Sequence, residues 1–290
     1  MPLTELATME RWISYNGKIL SADTPLVGAE SRAIRYGDGL FETIRMRKGE
    51  MPLFVYHMER LFKGLAELGF EKGVHLTPSS LKEDIQKLAQ KNKVLNNARI
   101  RVNAIRGNGG LYDPENNKPN IIIEAIALGE QYDRLNENGL VIGVYPDARK
   151  STDRFSNLKS NNFLPYTLGA FYAKANHWND AIILNQFGRI CETTLANIFW
   201  MEGDAIYTPP LSEGAVAGVM RRYLIERHIQ MDKPIVERNL AIEELEKATG
   251  IFITNAISGI KWVKQFGDGQ YAPTKIIPLY NEIVKTIYSL

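Results

Sequence analysis

The chain has 290 residues, which suits two domains of ordinary size or one large one. Hydrophobic residues make up 44% and charged residues 23%, a normal balance for a soluble globular protein, and the formal net charge of +2 gives no reason to expect nucleic acid or a membrane as partner. The single cysteine, Cys191, excludes an intrachain disulfide and any cysteine-rich metal site.

Met1 to Ala22 carries charges at Glu5, Glu10 and Arg11 and no apolar core, so it does not read as a signal peptide. No stretch approaches the ~20 apolar residues of a membrane helix, and cytoplasmic residence is the expectation. Met9 to Ile19 reads as a hairpin turning on Asn16-Gly17, a strong two-residue turn signal. Ser31 to Asp38 reads as a polar loop, and Gly39 to Arg47 as a strand that Lys48-Gly49-Glu50 turns into Met51 to Tyr56. His57 to Leu68 has helical periodicity, with Leu61, Leu65 and Leu68 on one face and Gly69 as the stop. Ser79 or Ser80 opens a second helix through Leu88 to Asn92. Ala98 to Ile105 and Asn120 to Ala127 read as strands.

Polar residues from Gly129 to Gly139 make the most plausible junction, giving a small domain 1–128, a linker 129–138 and a larger domain 139–290. Beyond it come a strand at Leu140 to Tyr145, a polar loop at Ser151 to Asn161 and a helix at Leu164 to Asn176. Strands follow at Asp180 to Asn185 and Thr194 to Met201, then a helix at Ala217 to His228. Ile242 to Ala248, Gly250 to Thr254 and Ile277 to Leu290 read as helix, strand and helix. Interleaved hairpins and helices with few clean βαβ units indicate an α+β class.

Residues 192 to 221 hold three ordered blocks. These are Glu192-Thr193-Thr194-Leu195-Ala196-Asn197-Ile198-Phe199, then Ile206-Tyr207-Thr208, then Val216-Ala217-Gly218-Val219-Met220-Arg221. The gaps are 6 residues between Phe199 and Ile206 and 7 between Thr208 and Val216. One short motif would be weak; three in order, with Lys159 in a polar loop upstream, are much stronger. The run resembles the signature of the class IV aminotransferases, pyridoxal 5'-phosphate (PLP) enzymes of fold type IV. The resemblance extends from Tyr15 to about Val263. It implies a two-domain α+β fold of the D-amino-acid aminotransferase-like kind with the cofactor between the domains, and PLP as the carrier of the chemistry.

The resemblance also distributes roles. Lys159 stands where the family has its PLP lysine, although a solvated loop lysine would look the same locally. Glu192 matches the carboxylate that keeps the pyridine nitrogen protonated, within a block that includes Asn197. Gly218, Val219 and Met220 open a helix at the family's phosphate loop, where backbone N–H groups can face an anion. Thr254 and Asn255 match its second phosphate segment, and Arg60 its phosphate arginine. Tyr36 and Phe41, in Tyr36-Gly37-Asp38-Gly39-Leu40-Phe41, match a block on the substrate side. Arg99, Arg101 and Arg106 are the candidates for a substrate carboxylate, the first two on one face of a strand. Two departures stand out: Met220 replaces a threonine common in relatives, and Phe163 stands where branched-chain enzymes have a cofactor-contacting tyrosine. His57, His75, His177 and His228 show no metal spacing, and no metal is assigned.

Within the family, Tyr207-Thr208-Pro209 with the third block, Tyr132-Asp133-Arg134-Leu135, and Asn255-Ala256 resemble the aminodeoxychorismate lyase branch. That branch converts 4-amino-4-deoxychorismate to p-aminobenzoate and pyruvate in folate synthesis. The runner-up is a branched-chain or D-amino-acid aminotransferase, although Arg99-Ile100-Arg101 lacks the tyrosine expected of a branched-chain enzyme. A third reading is a PLP-fold protein without turnover. The resemblance implies an amino-acid-like small-molecule substrate and a homodimer.

Overall fold

The computed structural model describes residues 11–289; the Met9 start of the first hairpin and the Leu290 end of the last helix lie outside the described residues. The chain divides into two compact units. One joins the residues up to Met51 with Leu61–Leu128, and the other joins Pro52–Arg60 with the residues from Gly129 onward.

In the first unit, β1 (Trp12–Tyr15) and β2 (Lys18–Ser21) turn at Asn16 and Gly17, both with positive φ (48° and 80°), as a two-residue hairpin turn of the mirror-image type requires. The expected loop at Ser31 to Asp38 instead contains a short helix, α1 (Arg32–Tyr36), ended by left-handed Gly37. Arg32 accounts for the difference. Its buried guanidinium reaches Asp38 and the carbonyl oxygens of Leu111 and Tyr112, which no local pattern reveals.

β3 (Gly39–Arg47) follows. The strand expected at Met51 to Tyr56 is absent, because α2 (Phe54–Glu67) begins there, just after Pro52, and buries Met58, Leu61 and Leu65 at helical spacing. The cap of α3 (Pro78–Lys91) is Thr77 rather than Ser79 or Ser80; Thr77 and Ser80 exchange side-chain–backbone hydrogen bonds. With β4 (Asn97–Arg106) and β5 (Pro119–Ala127), the strands form an antiparallel sheet in the order β2-β1-β5-β4-β3, with α3 against β1 and β5. One face buries Ile44, Met46, Ile100, Val102 and Ile123. The other aligns Phe41, Thr43 and Arg45 opposite Asn103, Arg101 and Arg99.

The second unit is built on a nine-stranded sheet. Its elements are β6 (Leu140–Lys150), α4 (Leu164–Ala175), β7 (Asp180–Asn185), β8 (Ile190–Thr193), β9 (Asn197–Glu202) and β10 (Ala205–Thr208). Then come α5 (Val219–Gln230), β11 (Val236–Glu237), α6 (Ile242–Leu245), β12 (Gly250–Asn255), β13 (Gly259–Phe266) and β14 (Gly269–Gln270). The last are α7 (Ile276–Leu279), which runs on through a π-helical turn, Tyr280–Lys285, and α8 (Thr286–Tyr288). The order is β11-β10-β9-β12-β13-β6-β7-β8, with β14 on β13.

Alternate residues of β9 and β12 face opposite cores. Phe199 and Phe252 lie in one, with Met220 and Leu224 of α5; Trp200 and Ile251 lie in the other. The strand expected at Thr194 to Met201 starts only at Asn197, because Thr193 N–H donates to Ala196 O and closes a turn between β8 and β9. β6 runs past Tyr145, with an irregularity between Val144, paired to Ile182, and Arg149, paired to Leu184. Among the described residues no helix is long and apolar enough to cross a membrane.

Candidate active site

The second unit gathers most of the sequence-derived candidates. Glu192, on β8, is buried, with 3% of its surface exposed. Its Oε1 accepts hydrogen bonds from Lys150 Nζ at 2.7 Å and from the Tyr166 hydroxyl at 2.6 Å. Val216 N–H donates to both carboxylate oxygens, at 3.0 and 3.1 Å. Burial, then the charge of Glu192, pushes the ionisation of Tyr166 far above its ordinary range, so this hydroxyl stays a donor.

The Tyr166 ring stacks on Phe163 at 4.6 Å, and Phe163 lies 5.5 Å from the half-buried Lys159 Nζ. One side of the cluster therefore runs from Lys159 through two rings to Glu192. Position 163 has no hydroxyl, and the tyrosine of this cluster is Tyr166, whose hydroxyl is directed at Glu192. Asp180 secures the strand end behind Glu192: it accepts from the hydroxyls of Thr193 and Thr194 at 2.8 and 2.6 Å, and from the N–H of Thr194. Cys191, next in line, is a packing residue; burial raises its thiol to about 12, and it donates to Glu213 O.

The start of α5 forms a second cluster. Asn197 Nδ2 donates to Val216 O at 2.9 Å, Arg60 donates to Ala217 O at 2.8 Å, and Asn157 Nδ2 donates to Ala215 O at 2.6 Å. These contacts fix the loop before the helix. A Cβ at Gly218 would overlap Asn197 Oδ1, so only glycine fits this approach. The first N–H bonded back along α5 is that of Arg222, to Gly218 O, which leaves the N–H groups of the first turn directed beyond the helix. Val219 and Met220 turn their side chains into the core and can offer only backbone here. Thr254, 2% exposed, pairs across the sheet with Asn197, and its Oγ1 has no hydrogen-bond partner among the described residues. A buried hydroxyl without a partner, beside a helix start and an arginine, fits an anion such as a phosphate. Asn255 does not extend this set: its amide donates to Leu195 O, and its Oδ1 accepts from Ile257 and Ser258 N–H.

The remaining candidates belong to the first unit. Tyr36 ends α1 and packs against Tyr112 at 5.5 Å. Phe41 is buried under Arg101, whose guanidinium carbon lies 3.9 Å from the ring centroid. Desolvation pulls the Arg101 guanidinium below its ordinary value. Arg99 is exposed on the same face. Arg106 is engaged within its own unit. Its Nε bonds Asp38 at 2.9 Å, and its other nitrogens bond Leu68 O and Asn117 Oδ1. These bonds tie the end of β4 to neighbouring backbone and side chains.

Two residues escaped sequence reasoning. Tyr166 was visible as an aromatic after Lys159 but had no assigned role. Lys150 gave no signal at all, since the β6 irregularity that carries it inward leaves no local pattern.

The family model described as amino-transferase class IV matches residues 39–266. An aminodeoxychorismate lyase of Bacillus subtilis (strain 168) is 29% identical over 84% of this chain and 83% of its own length. A D-alanine aminotransferase of Staphylococcus haemolyticus is 27% identical over 90% of this chain and 93% of its own. Among solved structures, a branched-chain aminotransferase of Thermoproteus uzoniensis superimposes with a TM-score of 0.86 at 23% identity, covering 97% of this chain and 95% of that one, a likeness of fold. With the family model matched from β3 to β13, the chain belongs to the class IV aminotransferases, the PLP-dependent enzymes of fold type IV.

Proposed function

We propose that the protein is a lyase that converts 4-amino-4-deoxychorismate to p-aminobenzoate and pyruvate, a step of folate synthesis. The observation that carries this reading is the likeness to an aminodeoxychorismate lyase over 84% of the chain. Met220, whose buried side chain offers no hydroxyl where many relatives have threonine, supports it.

The residues divide the work. Bound PLP supplies an electron sink for the charge left when a Cα proton departs. Lys159 would hold the cofactor, and its amine would serve as the general base for the Cα proton. Glu192 keeps the ring nitrogen protonated. The first turn of α5, Thr254 and Arg60 hold the phosphate, with Asn197 and Gly218 shaping the loop. Phe163 and Tyr166 form an apolar wall that excludes water. Tyr36, Phe41, Arg99 and Arg101 serve the substrate. With that proton gone, the β-substituent would leave as enolpyruvate and take up a proton to become pyruvate, and aromatisation of the ring would drive the step forward.

The D-alanine aminotransferase relative, at 27% identity over 90% of the chain, favours transamination as the second reading. The two differ in their need for an acceptor. PLP-loaded protein given 4-amino-4-deoxychorismate alone is expected to release p-aminobenzoate and pyruvate in equal amounts. Release of neither, with amino transfer from an amino-acid donor to 2-oxoglutarate, would overturn the lyase reading.

We infer further that the protein works as a homodimer. Supporting this, α4 exposes Leu164, Leu168 and Phe171 in a stripe at helical spacing. Light scattering is expected to give twice the chain mass; a monomer at working concentration would contradict it.

A further inference from the structure

Glu192 is held unevenly. Three donors converge on Oε1: Lys150 Nζ at 2.7 Å, the Tyr166 hydroxyl at 2.6 Å and Val216 N–H at 3.0 Å. Oε2 accepts only Val216 N–H, at 3.1 Å, among the described residues. A carboxylate has about four lone-pair directions, so the remaining acceptor capacity is on Oε2. Lys150 is itself enclosed, with a side chain 12% exposed and its amine 5.3 Å from the Tyr166 ring centroid. A buried ion pair of this kind costs desolvation energy and is weak evidence of stabilisation, so its presence asks for another reason.

We propose that Lys150 is a positioning residue for the cofactor ring: by pairing with Glu192 through Oε1 it fixes the carboxylate and presents a charged Oε2 to the ring nitrogen. The inference rests on the assignment of Glu192 to that nitrogen. The physical argument is one of distance. The Lys150 cation contacts the carboxylate directly, whereas a donor on Oε2 stands beyond it. Coulomb attraction to Glu192 therefore exceeds repulsion of the protonated ring, and the charged pair N–H⁺···⁻O is favoured over the neutral pair N···H–O. Low exposure strengthens the preference. Tyr166 and Val216 donate hydrogen bonds but bring no charge. Without Lys150 the buried carboxylate would face only neutral donors, and one proton would pass from the ring nitrogen to Oε2. The electron sink would weaken, although Lys159 and the phosphate contacts would remain in place.

The test uses PLP isotope-labelled at the ring nitrogen, whose NMR shift reports whether that nitrogen carries a proton. Full-length protein is loaded and compared with Lys150→Met, Lys150→Gln and Lys150→Arg. The wild type and Lys150→Arg are expected to show a protonated nitrogen near neutral pH. Lys150→Met and Lys150→Gln are expected to lose that proton while still binding PLP. Glutamine keeps a donor without the charge, so it separates charge from hydrogen bonding, and it carries the test if the methionine variant fails to melt cooperatively. A protonated nitrogen in both neutral variants would overturn the inference while leaving the Glu192 assignment intact. An unprotonated nitrogen in the wild type would refute that assignment and the inference together.

Discussion

Thr254 separates a residue that merely packs from one that awaits a ligand. Its hydroxyl is buried and has no partner among the described residues. An unmade hydrogen bond of this kind costs stability, whereas a hydroxyl bonded to a charged phosphate contributes about 1.5–3 kcal/mol. Thr254→Val keeps the shape and removes the oxygen. PLP affinity is expected to fall about tenfold or more, while the cofactor-free protein melts at the same temperature or higher. A variant less stable without cofactor and unchanged in PLP affinity would contradict the phosphate role. Residue chemistry of this kind was half legible in the sequence. Glu192 and Gly218 could be picked out because they sit in spaced blocks, and Lys159 because it lies in a polar loop upstream of them. Lys150 could not, because its role depends on β6 and β8 being brought together by β7, a matter of sheet order.

At the scale of elements, Arg106 shows how a strand-end arginine becomes structural. Asp38 lies between Arg32 and Arg106, and the Arg106 guanidinium also ties down Leu68 O at the end of α2. Removing one member of a buried ion pair costs about 3–5 kcal/mol. Arg106→Met is therefore expected to lower the denaturation midpoint strongly and leave the KM of the folded fraction unchanged. A variant as stable as the wild type with a raised KM would restore Arg106 to the substrate. The sequence placed most helices and strands, because their apolar periodicity is local. It missed α1, which depends on Arg32 reaching across to residues 111 and 112. It also gave no separate account of β10 and β13, although each closes a short hairpin with the strand before it.

At the scale of the whole molecule, stability should respond to pH through a group remote from the candidate site. His228, in the last turn of α5, is buried, and its Nδ1 lies 2.9 Å from Leu224 O. Desolvation holds it below its ordinary value of 6.5, against smaller opposing effects of the Leu224 hydrogen bond and of Glu282. A histidine whose folded value is depressed contributes stability that is present above 6.5 and lost as pH falls through the folded value. Urea unfolding from neutral to acidic pH should therefore show the advantage of the wild type over His228→Gln shrinking on acidification. A constant gap would mean that His228 does not titrate between the folded and unfolded states. The α+β class was legible from the interleaved hairpins and helices, and the family from the spaced blocks at 192 to 221. The assignment of Pro52–Arg60 to the second unit was not, since it divides one continuous helix, α2, at Arg60.

The central claim is that the second unit holds PLP on Lys159, with Lys150 close by in an ion pair with Glu192. Borohydride reduction fixes PLP onto whichever lysine holds it, and peptide mapping then identifies that lysine. The account requires the label on Lys159, with none in Lys159→Ala, whose fold should survive. A label on Lys150, or PLP still fixed at the site in Lys159→Ala, would contradict it.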